Sequence, residues 1–146
     1  MQDVTMVVVK KTPFEPHAAE RGDQKMKPKE YSPLTLAFLG DVVFELLVRE
    51  QLVAGGDVPV KELHQKATKK VCATAQCRAA AEILDQLTPE EESIFKRGRN
   101  ANGTHPPKSA TTAEYRTATG IEALFGYLYL KKDKSRMLEL FSQMMK

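Results

Sequence analysis

Two segments of this chain are apolar nearly all the way round a helix, and they limit its fold more than any other feature. The first is LAFLGDVVFELLVRE, from Leu36 to Glu50. At helical spacing Leu36, Phe38, Leu39, Val42, Val43, Phe44, Leu46, Leu47 and Val48 cover almost the whole circumference, which predicts a helix buried on most sides. Only Asp41, Glu45 and Arg49 interrupt them, at i, i+4 and i+8, as one narrow polar stripe. Glu45 reads as the i,i+4 partner of Arg49. A buried, unpartnered carboxylate is costly. Asp41 therefore needs either a structural cation, with Arg116 the candidate, or a metal and a chemical role.

The second segment runs from Ala113 to Leu130, and between Arg116 and Lys131 its only charge is Glu122. Arg116, Thr119 and Glu122 recur at three-residue intervals along one side. Gly40 stands beside Asp41 and Gly120 close to Glu122, so the two helix backbones can approach closely. Two such helices predict two carboxylates facing each other across a helix contact. Oxygen ligands of that kind suit a hard cation such as Mg²⁺, which keeps several waters and takes one or two protein carboxylates.

The remaining sequence reads as helices and loops. Ser32 as N-cap and Pro33 at the first helical position start the first apolar helix, which runs to about Val53. After the AGGD turn, Val60, Leu63, Ala67, Val71, Ala75, Ala79 and Ile83 recur at helical spacing, as one amphipathic helix or two with a kink. Thr88, Pro89 and Glu91 form a capping box for a short helix ending near Gly98. NANGTHPPKSATT is a loop, and SRMLELFSQMM a terminal amphipathic helix. The expected fold is all-α, five to seven helices in one domain over residues 31–146. Residues 1–30, rich in Lys, Glu, Pro and Gln, read as a flexible N-terminal extension.

Composition excludes several classes. No apolar run of the 146 residues reaches the length of a membrane span. The N-terminal MVVVKK lacks the rest of an export signal. Cys72 and Cys77 match neither a metal nor a disulfide spacing, and are expected to be buried reduced thiols in a cytoplasmic protein. The formal net charge is only +3, so the distribution of charge matters more than its total. KATKK, KRGRN and Lys108 concentrate the basic residues in mid-chain. Lys96, Arg97 and Arg99 read either as an ordinary solvated helix end or as contacts to a polyanion.

At LAFLGDVVFE and TGIEALFGYLYL the chain resembles the ribonuclease III catalytic domain. With LH..AT, KRGRNAN…PK and YRTATGIEALFGYLYL in order, it resembles the Mini-ribonuclease III group of that family over roughly Tyr31 to Phe141. The double-stranded-RNA-binding domain of full-length members is not expected after this segment, and its absence is the mark of that group. The resemblance implies the ribonuclease III endonuclease-domain fold and a homodimer that cleaves double-stranded RNA with Mg²⁺, leaving 5′-phosphate and 3′-hydroxyl ends. It further implies trimming of precursor large-subunit ribosomal RNA, with a ribosomal protein or an assembling ribosomal subunit as a further partner. Asp41 matches the signature aspartate and Glu122 the metal-binding glutamate, so both are expected to be catalytic and metal-ligating. Full-length members carry acidic residues where this chain has Leu34, Ala37 and Thr119. One Mg²⁺ held by Asp41, Glu122 and waters is therefore expected, with Lys96, Arg97, Arg99, Lys108 and Arg116 on the RNA. The alternative is a catalytically inactive ribonuclease III-like RNA-binding or ribosome-associated module.

Overall fold

The computed structural model describes residues 26–101, 106 and 108–146. Among these the regular structure is helical, with no strand. The Ser32 hydroxyl accepts the Thr35 amide and Pro33 takes the first position, so α1 runs Pro33–Ala54 as its capping residues predict. Next come α2, Val60–Val71, and α3, Ala73–Ala80, so the long amphipathic pattern is two helices. The break falls at Cys72, whose backbone is extended. Gln76 repairs it. Its side-chain amide donates to the Val71 carbonyl at 3.1 Å, and its backbone N–H bonds the Cys72 carbonyl. Both thiols are free, but Cys72 is exposed in this break and Cys77 half-buried, where both were expected in the core.

The helix α4, Pro89–Arg99, starts on the expected capping box: the Thr88 hydroxyl accepts the Glu91 amide and the Glu91 carboxylate accepts the Thr88 amide. Thr111 and Glu114 repeat the device at the start of α5, Thr112–Leu130, and α6 spans Lys134–Met144. Glu91 has a second task that its local sequence does not announce. It is 4% exposed and receives two 2.9 Å bonds from the Arg136 guanidinium, which also reaches the Gln86 carbonyl. Burial works against its charge, yet the Arg136 and Thr88 bonds hold its carboxyl below the usual range.

The two apolar helices, α1 and α5, form the centre and run antiparallel. Gly40 lies against the Glu122 carbonyl and Gly126, and Gly126 lies against the Leu36 carbonyl, so backbone meets backbone with no side chain between. On the other side of α5, Gly98 of α4 packs on Gly120 and Ala123. The second glycine of the α1–α5 contact is thus Gly126. Gly120, expected there, faces Phe95 of α4 instead. Phe44 sets its ring edge-on against Phe125 and Phe141, at 5.3 and 5.6 Å, which ties α6 to the central pair.

Circumferential apolarity overstated the burial of α1. Phe44 is fully buried, but Phe38 is 81% and Val42 64% exposed, and Leu34 and Leu46 lie partly open on the same side. One face of this helix is left without a partner among the described residues. Before α1, a short 3-10 turn at Pro28–Glu30 leads into Tyr31, and the Arg97 side chain of α4 donates to the carbonyls of Lys29 and Tyr31. Regular structure therefore begins a few residues before the expected boundary at 31. Residues 1–25 of the expected extension lie outside the described residues.

Candidate active site

Asp41 and Glu122 meet at the seam between α1 and α5, and the glycine contact is what brings them there. Gly40, the residue before Asp41, rests on the backbone carbonyl of Glu122 itself. Any side chain at position 40 would force the two carboxylates apart. The Glu122 carboxyl lies within hydrogen-bonding reach of Asp41. Burial, first, and the Asp41 carboxylate, second, push the Glu122 carboxyl up to about 8. Asp41 is exposed rather than enclosed. It stands where the seam opens to solvent, so burial does not account for it, and the carboxylate it faces is Glu122 rather than the Arg116 guanidinium. Glu45 does pair with Arg49, as its spacing predicts.

A proton on Glu122 is a poor substitute for a cation at this seam. Two hard oxygen donors, one half-buried and one open to solvent, fit a divalent ion that keeps waters of its own. Among the described residues no group of three His, Cys, Asp or Glu side chains could hold a metal. The donor set at the seam is therefore this pair.

The basic residues are distributed unevenly around the seam. Gly98 touches Thr119, Gly120 and Ala123, so the C-terminal end of α4 packs on the turn of α5 that carries Glu122, on the side away from α1. Lys96 is exposed there, held by Glu92 at 3.0 Å, and Arg99 lies over the Phe95 ring at 5.8 Å with its Nε on Asn100. Arg97 is engaged elsewhere, on the Lys29 and Tyr31 carbonyls at 2.9 and 3.0 Å. Arg116 is exposed on α5, about 9 Å of helix rise before Glu122 and about 120° from it around the helix. Between them the Thr119 hydroxyl donates to the Tyr115 carbonyl at 3.0 Å. Lys108 is exposed in the turn before α5. His64 is exposed on α2, while His17 and His105 lie outside the described residues.

The pair dictates a pH dependence. Below about 4.5, the value raised to about 8 by folding, Glu122 is protonated in both states and its contribution is full. Between those values only the unfolded chain releases the proton, so the stability of metal-free protein falls by at most about 1.4 kcal/mol per pH unit. Above about 8 it levels off. Thermal melts at about pH 5 and pH 8 are expected to show this loss, and Glu122→Gln to remove it. Equal pH dependence in wild type and variant would contradict the geometry at the seam.

The described residues thus form an all-helical domain with two carboxylates at the seam of two apolar helices and the basic end of α4 packed on the same α5. Residues 34–133 match the Ribonuclease III domain, so the chain belongs to the ribonuclease III family. Within the family its place is the Mini-ribonuclease III group. It is 47% identical over 113 residues to the Mini-ribonuclease 3 of Symbiobacterium thermophilum, covering 77% of this chain and 87% of that one. To the Mini-ribonuclease 3 of Desulfitobacterium hafniense it is 49% identical over 115 residues, 79% of this chain and 73% of the relative. For that of Streptococcus pneumoniae the identity is 42%, covering 75% and 87%. A crystal structure of a Fusobacterium nucleatum protein superposes with a TM-score of 0.74 at 34% identity, covering 81% of this chain and 96% of that one. The all-α ribonuclease III fold expected from the sequence is therefore the fold observed.

Proposed function

We propose that this endoribonuclease cleaves double-stranded RNA with a divalent metal held by Asp41 and Glu122. The observation that carries the reading is the meeting of these two carboxylates at the α1–α5 seam, where burial and mutual repulsion leave Glu122 short of a counter-charge. Bound there, Mg²⁺ supplies charge stabilisation to the phosphoryl transition state and lowers the pKa of water. The protein contributes the rest. Gly40 and Gly126 hold the carboxylates in register, and the exposure of Asp41 lets a phosphate approach. Lys96 and Arg99 of α4, Lys108 of the turn before α5 and Arg116 of α5 would serve as phosphate contacts. Duplex RNA is the matching substrate class, because A-form helices offer phosphates and 2′-hydroxyls rather than readable base edges. The products carry 5′-phosphate and 3′-hydroxyl ends. Precursor large-subunit ribosomal RNA, in the cytoplasm and in contact with a ribosomal protein or an assembling subunit, is the substrate this reading favours. No described helix is long and apolar enough to cross a membrane.

One site per protomer cuts one strand, so double-strand cutting calls for two protomers related by two-fold symmetry. Leu34, Phe38, Val42 and Leu46 recur every four residues and are exposed along one side of α1, which supports a homodimer through that face. A long RNA duplex incubated with the protein should be cut with Mg²⁺ and left intact without it. Intact duplex in both conditions would leave the inactive RNA-binding module as the better reading. Sedimentation should report twice the 16.3 kDa chain; a monomer that still cuts both strands would remove the dimer.

The basic end of α4 carries its own expected result. Replacing Lys96 and Arg99 with Ala should lower duplex affinity, measured in Ca²⁺ to suppress cutting. It should also flatten the log–log salt dependence by about 0.7–0.9 for each phosphate that is no longer neutralised. Arg97→Ala should instead leave the salt slope alone and lower the melting temperature, because Arg97 is bonded to backbone carbonyls. An unchanged slope in the Lys96/Arg99 variant would reduce these residues to a solvated helix end.

A further inference from the structure

The break at Cys72 lies outside the site described above, but the helices on either side of it pack on the two that form the seam. The helix α2 rests on the last turns of α1. Leu63 and Ala67 share a groove with Leu52, and the Lys70 ammonium donates to the Gln51 side chain at 3.2 Å. The helix α3 packs along α5 instead. There the Thr74 hydroxyl is within hydrogen-bonding reach of the Glu114 carboxylate, and the Arg78 guanidinium acts on the same group. Together α2 and α3 form a bracket from the C-terminal end of α1 to the N-terminal end of α5. Gln51 is about 15 Å of helix rise beyond Asp41, and Glu114 about 12 Å before Glu122.

Because α1 and α5 are antiparallel, those two helix ends lie at the same end of the seam. At the Gly40–Gly126 contact backbone touches backbone. This fixes the closest approach of the helices but leaves their crossing angle to the contacts made elsewhere along them. Asp41 follows Gly40 and Glu122 precedes Gly126, so the carboxylates lie on the bracketed side of that contact. A change in the angle of the bracket rocks the helices about the glycines and alters the spacing of the pair. Metal–ligand distances tolerate only about ±0.2 Å, so a small rocking is enough to spoil the fit.

One side chain fixes the angle of the bracket. Gln76 is 2% exposed, and its Nε2 donates to the Val71 carbonyl at 3.1 Å across the break. Its Oε1 is buried with no hydrogen-bond partner among the described residues. An unpaired buried acceptor is destabilising, and a leucine would fill the same space without one. What the glutamine adds is the bond that joins the two helices. Resting on the reading that Asp41 and Glu122 hold a divalent metal, we propose that Gln76 is a positioning residue for that pair. Its bond to Val71 sets the angle between α2 and α3, and through them the spacing of α1 and α5 at the carboxylates.

Gln76→Leu keeps the volume and removes the bond. Its Mg²⁺ affinity, measured by calorimetry at about pH 8 without RNA, is expected to fall about tenfold, the lower end of what the outer supports of a metal site contribute. A thermal melt will verify that the variant is folded at the temperature of the titration. Met137→Ala, which opens the core under α6 away from the bracket, is the control. It should lower the melting temperature more and leave the Mg²⁺ affinity unchanged. Thr74→Val unties the other end of the bracket and should weaken Mg²⁺ binding in the same direction; it decides the matter if Gln76→Leu does not fold. Wild-type Mg²⁺ affinity in folded Gln76→Leu, or in Thr74→Val where Gln76→Leu does not fold, would overturn the positioning role and leave the metal pair standing. Equal losses in Gln76→Leu and Met137→Ala would overturn it too, since affinity would then follow stability alone. A wild type that binds no Mg²⁺ would overturn the metal reading and the positioning role with it.

Discussion

Asp41→Asn and Glu122→Gln are each expected to reduce duplex cutting by about 10³-fold or more while the protein stays folded. A metal ligand supplies several kcal/mol of transition-state stabilisation, and each 1.36 kcal/mol is about a factor of ten in rate. The amides keep the shape of the carboxylates but withdraw the charge that holds the cation. The two variants differ in a second respect. Glu122 is the carboxyl raised to about 8 by burial and by Asp41, so Glu122→Gln should also stabilise metal-free protein at neutral pH. Asp41 is exposed, and removing its charge should relieve Glu122 in turn. Near-wild-type turnover in either variant at ordinary Mg²⁺ would remove that residue from the site.

The largest structural effect is expected from Gly40→Ala, a change of one methyl group. A Cβ at position 40 would overlap the Glu122 carbonyl and lie 2.8 Å from the Gly126 nitrogen. Both obstacles are backbone, so no side chain can swing aside and α1 must move off α5. Overpacking of this kind costs about 1–3 kcal/mol and occasionally more. With backbone on both sides the upper end is expected, a fall in melting temperature of roughly 10 °C or more. The same movement separates Asp41 from Glu122, so activity should fall beyond what lost stability explains. Gly55→Ala is the control: its Cβ would meet ordinary 3.4 Å contacts at the end of α1. A Gly40→Ala protein as stable and active as the Gly55→Ala protein would mean that the helices tolerate a wider seam.

These outcomes depend on features that the sequence displays unequally. Caps are local, so Ser32–Pro33, Thr88–Glu91 and the ends of α1 and α4 were readable from neighbouring residues. The two carboxylates were readable as well, because a lone charge in an apolar helix stands out at any register. Exposure was not. Phe38 and Phe44 are equivalent by composition, and only the position of α5 decides that Phe44 is core while Phe38 faces solvent. The break at Cys72 has no proline or glycine to announce it, since the apolar period runs straight through. It depends on a glutamine side chain that replaces a backbone bond. Arg97 reads as one more cation in KRGRN, yet its partners, Lys29 and Tyr31, are remote in sequence and are backbone atoms. Glu91 and Arg136 are likewise far apart, so their pairing follows from packing rather than from spacing. Gly126 could have been weighed with Gly40 from the start, one helical turn beyond Glu122 and in a helix with no other need of a glycine there.

The central claim is that Asp41 and Glu122 together hold a divalent cation, and calorimetric titration of Mg²⁺ into the protein at about pH 8 tests it without any RNA. At that pH Glu122 is losing the proton that burial and the neighbouring Asp41 hold on it, so the cation meets little competition. Wild type is expected to bind one Mg²⁺ per protomer, more weakly as the pH falls toward about 5 and a proton competes for Glu122. Asp41→Asn and Glu122→Gln are each expected to abolish the binding heat. Undiminished Mg²⁺ binding in both variants would contradict the account.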